Sequence, residues 1–182
     1  SLLQLTFSYG LPDSGQAAKS LLIRYADTNQ ALWEYDPSVG LYFHSRNSII
    51  NPSITPDIDT LSQEQLTAHN VILMFHETEK KIDGYKPLLN FIDRQPALLF
   101  RDGIRIEGYW ATENTEAETA TDRFRPIQFY LSNGEPFSLK PGRTWVHLIR
   151  VGNELKEIAD ATGGEENPGS GHWFLPYIEA KR

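Results

Sequence analysis

Leu98-Leu99-Phe100-Arg101-Asp102-Gly103-Ile104-Arg105-Ile106 decides the fold class of this chain. The Asp-Gly pair accepts the positive φ of a type I′ turn, so two strands meet there in a hairpin. In the second strand Ile104, Ile106, Gly108 and Trp110 face one way, and Arg105, Glu107 and Tyr109 the other. That is the period of a half-buried antiparallel strand. Further along, Ile127 to Leu139 repeats the pattern around Asn133-Gly134, with Pro136 confined to a strand start or edge because it lacks an N–H. Pro141-Gly142 turns the chain again into Thr144-Trp145-Val146-His147-Leu148-Ile149.

Outward from these hairpins, short apolar runs alternate with turn signals. They predict strands at 2–8, 19–25, 30–35, 40–45, 70–76, 96–101, 104–111, 126–131, 136–139 and 143–150. Val71-Ile72-Leu73-Met74-Phe75 is apolar on both faces, as befits a central strand covered on both sides. Two short helices are expected. Residues 61–68 carry Ser62 and Gln65 at capping-box spacing. Residues 154–162 follow Asn153 as N-cap, place Leu155, Ile158 and Ala159 on one stripe, and stop at Gly163. Acidic residues break the strand pattern at 112–118, which reads as a solvated loop. The expected fold is mainly β: an antiparallel sandwich or partly closed barrel with one or two short helices. One β-rich domain spans 1–162. Residues 163–171 have linker composition, and the remainder to 182 forms a C-terminal tail, with Trp173-Phe174-Leu175 able to dock back.

Composition excludes several classes. The 182 residues can bury roughly 70% of the surface of the unfolded chain, so the domain folds without a staple. Seventeen Lys and Arg against 24 Asp and Glu leave a net charge of −7, which repels nucleic acid and anionic lipid. There is no cysteine, hence no disulfide, thiol chemistry or cysteine metal site. No apolar run approaches the ~18 residues of a membrane helix. The chain opens on Ser1 rather than Met, with no signal-peptide pattern, and reads as a fragment of a longer protein.

Candidate chemistry is sparse. The five histidines are scattered, and His76-Glu77 lacks the second His of a zinc helix, since Lys80 stands in its place. Asp57-Ile58-Asp59 lacks the glycine and closing Glu of a calcium loop. Gly169-Ser170-Gly171-His172 cannot hold a base against a nucleophile in a preorganised way. No cofactor and no metal is assigned. Glu34 and Asp36 share a strand face about 7 Å apart, a spacing open to glycosidase chemistry. Asp36-Pro37 before Gly40 also closes a turn, and that role is favoured. The aromatics stand out: Trp33 and Tyr35 share one strand face, Tyr42 and His44 another. Such a platform stacks on sugar rings or peptide side chains; as core residues the tryptophans would instead satisfy their indole N–H groups inside. Asn70 precedes the central strand as a turn or cap residue, or as a ligand contact. Trp33, Tyr35, Asp36, Tyr42, His44 and Asn70 are therefore the candidate binding residues.

Four segments carry a resemblance. They are Trp33-Glu34-Tyr35-Asp36 with Gly40-Leu41-Tyr42; Asn70-Val71-Ile72; Phe100-Arg101-Asp102-Gly103 with Ile106-Glu107-Gly108-Tyr109-Trp110; and Leu139-Lys140-Pro141-Gly142-Arg143-Thr144-Trp145. In this order, from about Leu3 to about Val151, the chain resembles the C-terminal domain of the YerB-like bacterial lipoproteins, domain of unknown function 3048. His44 stands where that family carries Arg, and the insert from about Ile49 to Leu61 is longer. The resemblance implies a location outside the cytoplasmic membrane, a lipid anchor and an N-terminal domain that both lie outside this fragment, and no named reaction. The expected function is a non-enzymatic extracytoplasmic module that binds an envelope glycan or a protein partner. A cell-wall or carbohydrate hydrolase using Glu34, Asp36 and His44 is the first alternative. A domain that only supports the N-terminal part is the second.

Overall fold

The computed structural model describes residues 5–81, 84–87, 94–112 and 127–176. The expected acidic loop at 112–118 lies outside them beyond Thr112, as do the start of the first strand and the end of the tail. The described chain is all β. Its strands are β1 (Thr6–Phe7), β2 (Gln16–Ala17), β3 (Ser20–Ala26), β4 (Asn29–Asp36), β5 (Leu41–Arg46), β6 (Thr55–Pro56), β7 (Thr67–Ala68), β8 (Asn70–His76) and β9 (Thr78–Lys81). They continue as β10 (Gly84–Pro87), β11 (Gln95–Arg101), β12 (Ile104–Ala111), β13 (Gln128–Leu131), β14 (Ser138–Leu139), β15 (Thr144–Arg150), β16 (Lys156–Asp160), β17 (Gly163–Glu166) and β18 (His172–Leu175).

Two large sheets result. One runs β13-β12-β11-β8-β15, with β2 beside β12; the other runs β17-β16-β18-β3-β4-β5-β6, with β7 beside β5. Both are mixed rather than antiparallel: β15 runs parallel to β8, and β18 parallel to β3. The antiparallel expectation is corrected here because neither parallel pair joins neighbours in sequence, and no local turn signal announces such a pair.

The inner faces meet in one core that unites Leu21, Ile23, Trp33 and Tyr42 with Val71, Leu73, Phe100 and Ile149. A second cluster, with Ile72, Met74, Leu99, Ile106 and Trp110 against Phe137 and Leu139, covers the opposite face of β8. Every residue of β8 is accordingly buried, which explains its two-faced apolar sequence.

No helix forms among the described residues, which corrects both helical expectations. In 61–68 the Asp59 carboxylate accepts the N–H groups of Leu61 and Ser62, Ser62 Oγ accepts from Glu64, and the chain turns into β7. In 154–162 the stripe Leu155, Ile158, Ala159 is replaced by β16, where Ile158 alone of the three is fully buried. Asn153 Nδ2 turns back to the Arg150 carbonyl instead of capping a helix. The linker-like stretch holds β17, and Trp173-Phe174-Leu175 docks as β18 between β16 and β3.

The two hairpins differ. Asp102 and Gly103 both have positive φ, 53° and 71°, as a type I′ turn requires. A Cβ on Gly103 would fall 2.7 Å from the Tyr35 ring, so glycine also lets the hairpin tip rest on the other sheet. Around Asn133-Gly134 only Gly134 is left-handed, and Gly134 donates to Leu131 while Leu131 N–H bonds Glu135. That is a three-residue loop with a glycine bulge.

Candidate functional site

The inner ends of β4, β5 and β15 bring together Trp33, His44, Trp145 and His147. Trp33 is wholly buried. Its Nε1–H donates to His147 Nε2 at 2.8 Å. His147 must therefore carry its proton on Nδ1, which donates to Tyr25 Oη at 2.7 Å. Burial, with a smaller effect of nearby His44, pushes the His147 pKa down to about 3. Burial also raises the Tyr25 hydroxyl well above its ordinary value. This Trp–His–Tyr chain is thus neutral across the physiological range.

His44 lies 4.4 Å from Trp33, ring centre to ring centre, and stacks on Trp145 at 5.4 Å. Its Nδ1 bonds Asp57 at 3.0 Å, while its buried Nε2 has no partner. Burial lowers its pKa and outweighs the opposing pull of Asp57. Arg46 holds the other Asp57 oxygen at 3.0 Å. Trp145 closes the group from outside and remains 39% exposed.

The remaining candidates serve as scaffold. Tyr42 is buried and donates to the Ala18 carbonyl at 3.3 Å; burial raises its pKa. Tyr35 packs on Tyr42 at 5.0 Å. Asp36 accepts the Ser38 N–H at 2.8 Å and the Ser38 hydroxyl at 2.6 Å. Those two bonds hold its exposed carboxyl below the usual range, as the turn reading requires. Asn70 is buried, donates to the Lys140 carbonyl and Thr144 Oγ1, and accepts the Lys140 N–H. It fastens the turn that leads into β15. Glu34 is exposed on β4 while His44 is buried beneath Trp145, so these two do not share an open site with Asp36.

Sequence reasoning missed Tyr25, Asp57, Trp145 and His147 as one group. The signal within reach was the i, i+2 spacing of Trp145 and His147, which puts both on one face of β15. The partners come from β3, β5 and the loop after β6, and no spacing rule joins those.

β15 itself is a sheet edge. Among the described residues it pairs with β8 alone, in unbroken register from Thr144 to Arg150. The Arg143 carbonyl and the Val151 N–H both point at β8. Strand alternation therefore turns the backbone groups of Thr144, Val146 and Leu148 to the open side. The strand has no proline and no bulge, and Val146 and Leu148 are 41% and 42% exposed. From Pro136 to Asn153 there is no carboxylate side chain, while Lys140, Arg143 and Arg150 lie within that stretch. Among the described residues no three His, Asp or Glu side chains gather as a metal site, and no helix is long and apolar enough to cross a membrane.

A family model for the C-terminal domain of proteins of unknown function DUF3048 matches residues 21–146. Among solved structures, the crystal structure of the YerB protein from Bacillus subtilis aligns with a TM-score of 0.55 at 20% identity, over 80% of this chain and 43% of that one. At this identity the likeness is one of fold. The chain spans less than half the length of the YerB chain it matches. No curated protein matches. The four motif segments all lie within or around this fold's junctions: Trp33 and Trp145 share the aromatic group, Asn70 pins the turn before Trp145, and Asp102 receives Lys140 Nζ at 2.6 Å.

Proposed function

The chain belongs to the DUF3048 C-terminal-domain family, and from that premise we propose a non-enzymatic interaction domain that docks an extended, acid-bearing partner segment along β15. One observation carries this reading: among the described residues β15 is a seven-residue edge with three exposed apolar side chains, Trp145, Val146 and Leu148, and with no proline and no bulge to blunt it. An added strand would gain about six backbone hydrogen bonds, two at each of Thr144, Val146 and Leu148. Trp145, backed by His44 and Trp33, supplies an aromatic anchor on one face. Acid on the incoming strand matches Arg143 at the start of β15, on a body that is otherwise acidic. We place the domain outside the cytoplasmic membrane, on a protein anchored through a lipid elsewhere in its chain.

The test uses a fluorescein-labelled peptide of alternating Thr and Val with Glu at both ends, titrated by anisotropy. Binding is expected, with a Lys-ended peptide at least about tenfold weaker. Val146→Pro removes only an outward N–H, and it should abolish binding; so should N-methylation of the Glu-ended peptide on the amides facing β15. Equal binding of both peptides would remove the acid preference. Binding that survives both Val146→Pro and N-methylation, or self-association that Val146→Pro abolishes, would overturn the proposed docking.

A second observation favours the supporting role. Phe7, Tyr9 and Leu11 are 56%, 80% and 71% exposed and recur at every second residue. Such a stripe suits a face against another part of the full-length protein. Phe7→Ser with Tyr9→Ser should then speed protease cleavage between the parts of the full-length protein, and unchanged cleavage would dismiss that role.

A further inference from the structure

The stack of Trp33, His44 and Trp145 runs from the core to the surface. Trp33 is wholly buried, His44 is 4% exposed and Trp145 is 39% exposed. The His44 ring lies 4.4 Å from Trp33 and 5.4 Å from Trp145, centre to centre. Its Nδ1–H donates to the Asp57 carboxylate at 3.0 Å. That bond uses the one proton of the neutral ring and leaves a bare lone pair at Nε2, which is buried and has no partner. His147, by contrast, has both ring nitrogens bonded to neutral groups. Trp33 is tied to His147 through its indole N–H, whereas Trp145 is held by its ring contacts.

A proton on His44 Nε2 turns that bare acceptor into a charged donor with nothing to bond in a dry place. The rest of the surroundings favour the cation. Asp57 already sits on the opposite nitrogen, and the two indoles attract positive charge. The conflict is confined to Nε2, and water reaching that atom resolves it. The charged and titratable groups around the ring are few. Asp57 favours the proton and Arg46, on the other Asp57 oxygen, opposes it. From β15, His147 stays neutral down to about pH 3, and Arg143 just before the strand bonds Thr67 Oγ1. β4 presents the uncharged Trp33. Burial outweighs Asp57 at neutral pH and holds the His44 pKa below its ordinary value. We propose that Trp145 is a pH-operated lid: when His44 takes up a proton, the Trp145 indole swings outward, water reaches Nε2, and β15 loses its ordered aromatic anchor. Only that last consequence rests on the docking proposed for β15; the lid itself needs no partner.

Fluorine NMR of the protein labelled with 5-fluorotryptophan tests the lid from about pH 7.5 to about pH 4.5. The chain has four tryptophans, and Trp145→Phe identifies the resonance of interest. The difference between its positions in H2O and D2O reports exposure. That difference is expected to grow as the pH falls, with one midpoint below the ordinary histidine value, while Trp110 in the other core cluster stays unchanged. In His44→Gln it should not vary with pH. Arg46 is 63% exposed, so Arg46→Gln keeps the test open if His44→Gln does not fold. Losing that charge and leaving Asp57 to His44 alone should raise the midpoint. A Trp145 signal that titrates without gaining exposure would mean protonation in place, and all four tryptophans opening together would mean unfolding. Either result, an unmoved or lowered midpoint in Arg46→Gln, or opening that persists in His44→Gln, would overturn the lid. For the docking consequence, the affinity of the Glu-ended peptide one pH unit below the midpoint is divided by its neutral value. This ratio should fall at least about threefold further in the parent than in His44→Gln, a comparison that cancels titration of the peptide. A peptide that binds at no pH removes the docking reading and leaves the fluorine result standing.

Discussion

At the scale of the residue, His147 joins the two sheets through bonds that only a neutral ring can make. Nε2 accepts from Trp33 and Nδ1–H donates to Tyr25. A proton on Nε2 would face the indole N–H in a dry interior, which is why burial drives the pKa from 6.5 down to about 3. The consequence for stability has a definite sign. The unfolded chain takes up this proton near its ordinary pKa and the folded chain only near 3. The contribution is therefore complete above pH ~6.5 and falls as the pH drops toward ~3, by about 1.4 kcal/mol per pH unit. His44, also lowered by burial, adds in the same direction. His147→Gln keeps an acceptor for Trp33 and removes the titrating ring. Urea unfolding at about pH 6, 5 and 4 should give a slope that is shallower in the variant by nearly that 1.4 kcal/mol per unit. Parallel slopes would mean the ring takes up its proton without unfolding. Histidine at 147 was visible in the sequence, but its role was not, because Trp33 lies 114 positions away.

At the scale of the element, legibility followed locality. Asp102-Gly103 was readable because two adjacent residues with positive φ determine the turn. The β8 strand was readable because burial on both faces leaves its mark on each residue. β16 and β18 were not. A stripe of Leu155, Ile158 and Ala159 fits a helix locally, and only the presence of β18 as a partner makes the strand win. That partner sits behind a Gly-rich stretch that composition assigns to a linker, although there Gly169 and Gly171 N–H groups both bond the Glu157 carboxylate at 2.7 Å. β18 is internal to its sheet, between β16 and β3, and buries Trp173 with its indole N–H on the Ala17 carbonyl. A chain ending at Gly171 should thus lose both neighbours' pairing and the stacking of Arg105 on Trp173. Thermal unfolding by near-ultraviolet circular dichroism should then lack a cooperative transition. A transition within about 5 °C of the parent would show that β18 is an appendage after all.

At the scale of the whole molecule, the motifs behind the family resemblance act as a clamp between sheets. Lys140 Nζ reaches the Asp102 carboxylate on the six-stranded sheet at 2.6 Å and the Gly40 carbonyl on the eight-stranded sheet at 3.1 Å. Arg101 supports the same carboxylate at 2.8 Å and also grips the Gly10 and Ser138 carbonyls, both at 2.7 Å. The sequence displayed each motif but not their convergence, since Lys140 and Asp102 meet only once the sheets have packed. Asp102 is 5% exposed and Lys140 18%, so the pair is buried enough to resist water yet not wholly desolvated. Removing Lys140 leaves the Asp102 carboxylate with Arg101 as its one cation, and removing Asp102 leaves both cations without their anion. Lys140→Met is expected to cost about 2–3 kcal/mol, somewhat below the figure for a fully buried pair. Asp102→Asn alone should cost a similar amount, because Arg101 and Lys140 both lose their anion. The double variant should cost less than the sum, by a coupling of about 1 kcal/mol or more, since with Lys140 gone the loss of Asp102 leaves Arg101 alone without its anion instead of two cations. Chemical denaturation of the four proteins measures that coupling. A value near zero would move the joint between the sheets from this ion pair to the apolar core, and the motif residues would then need another reason to stand together.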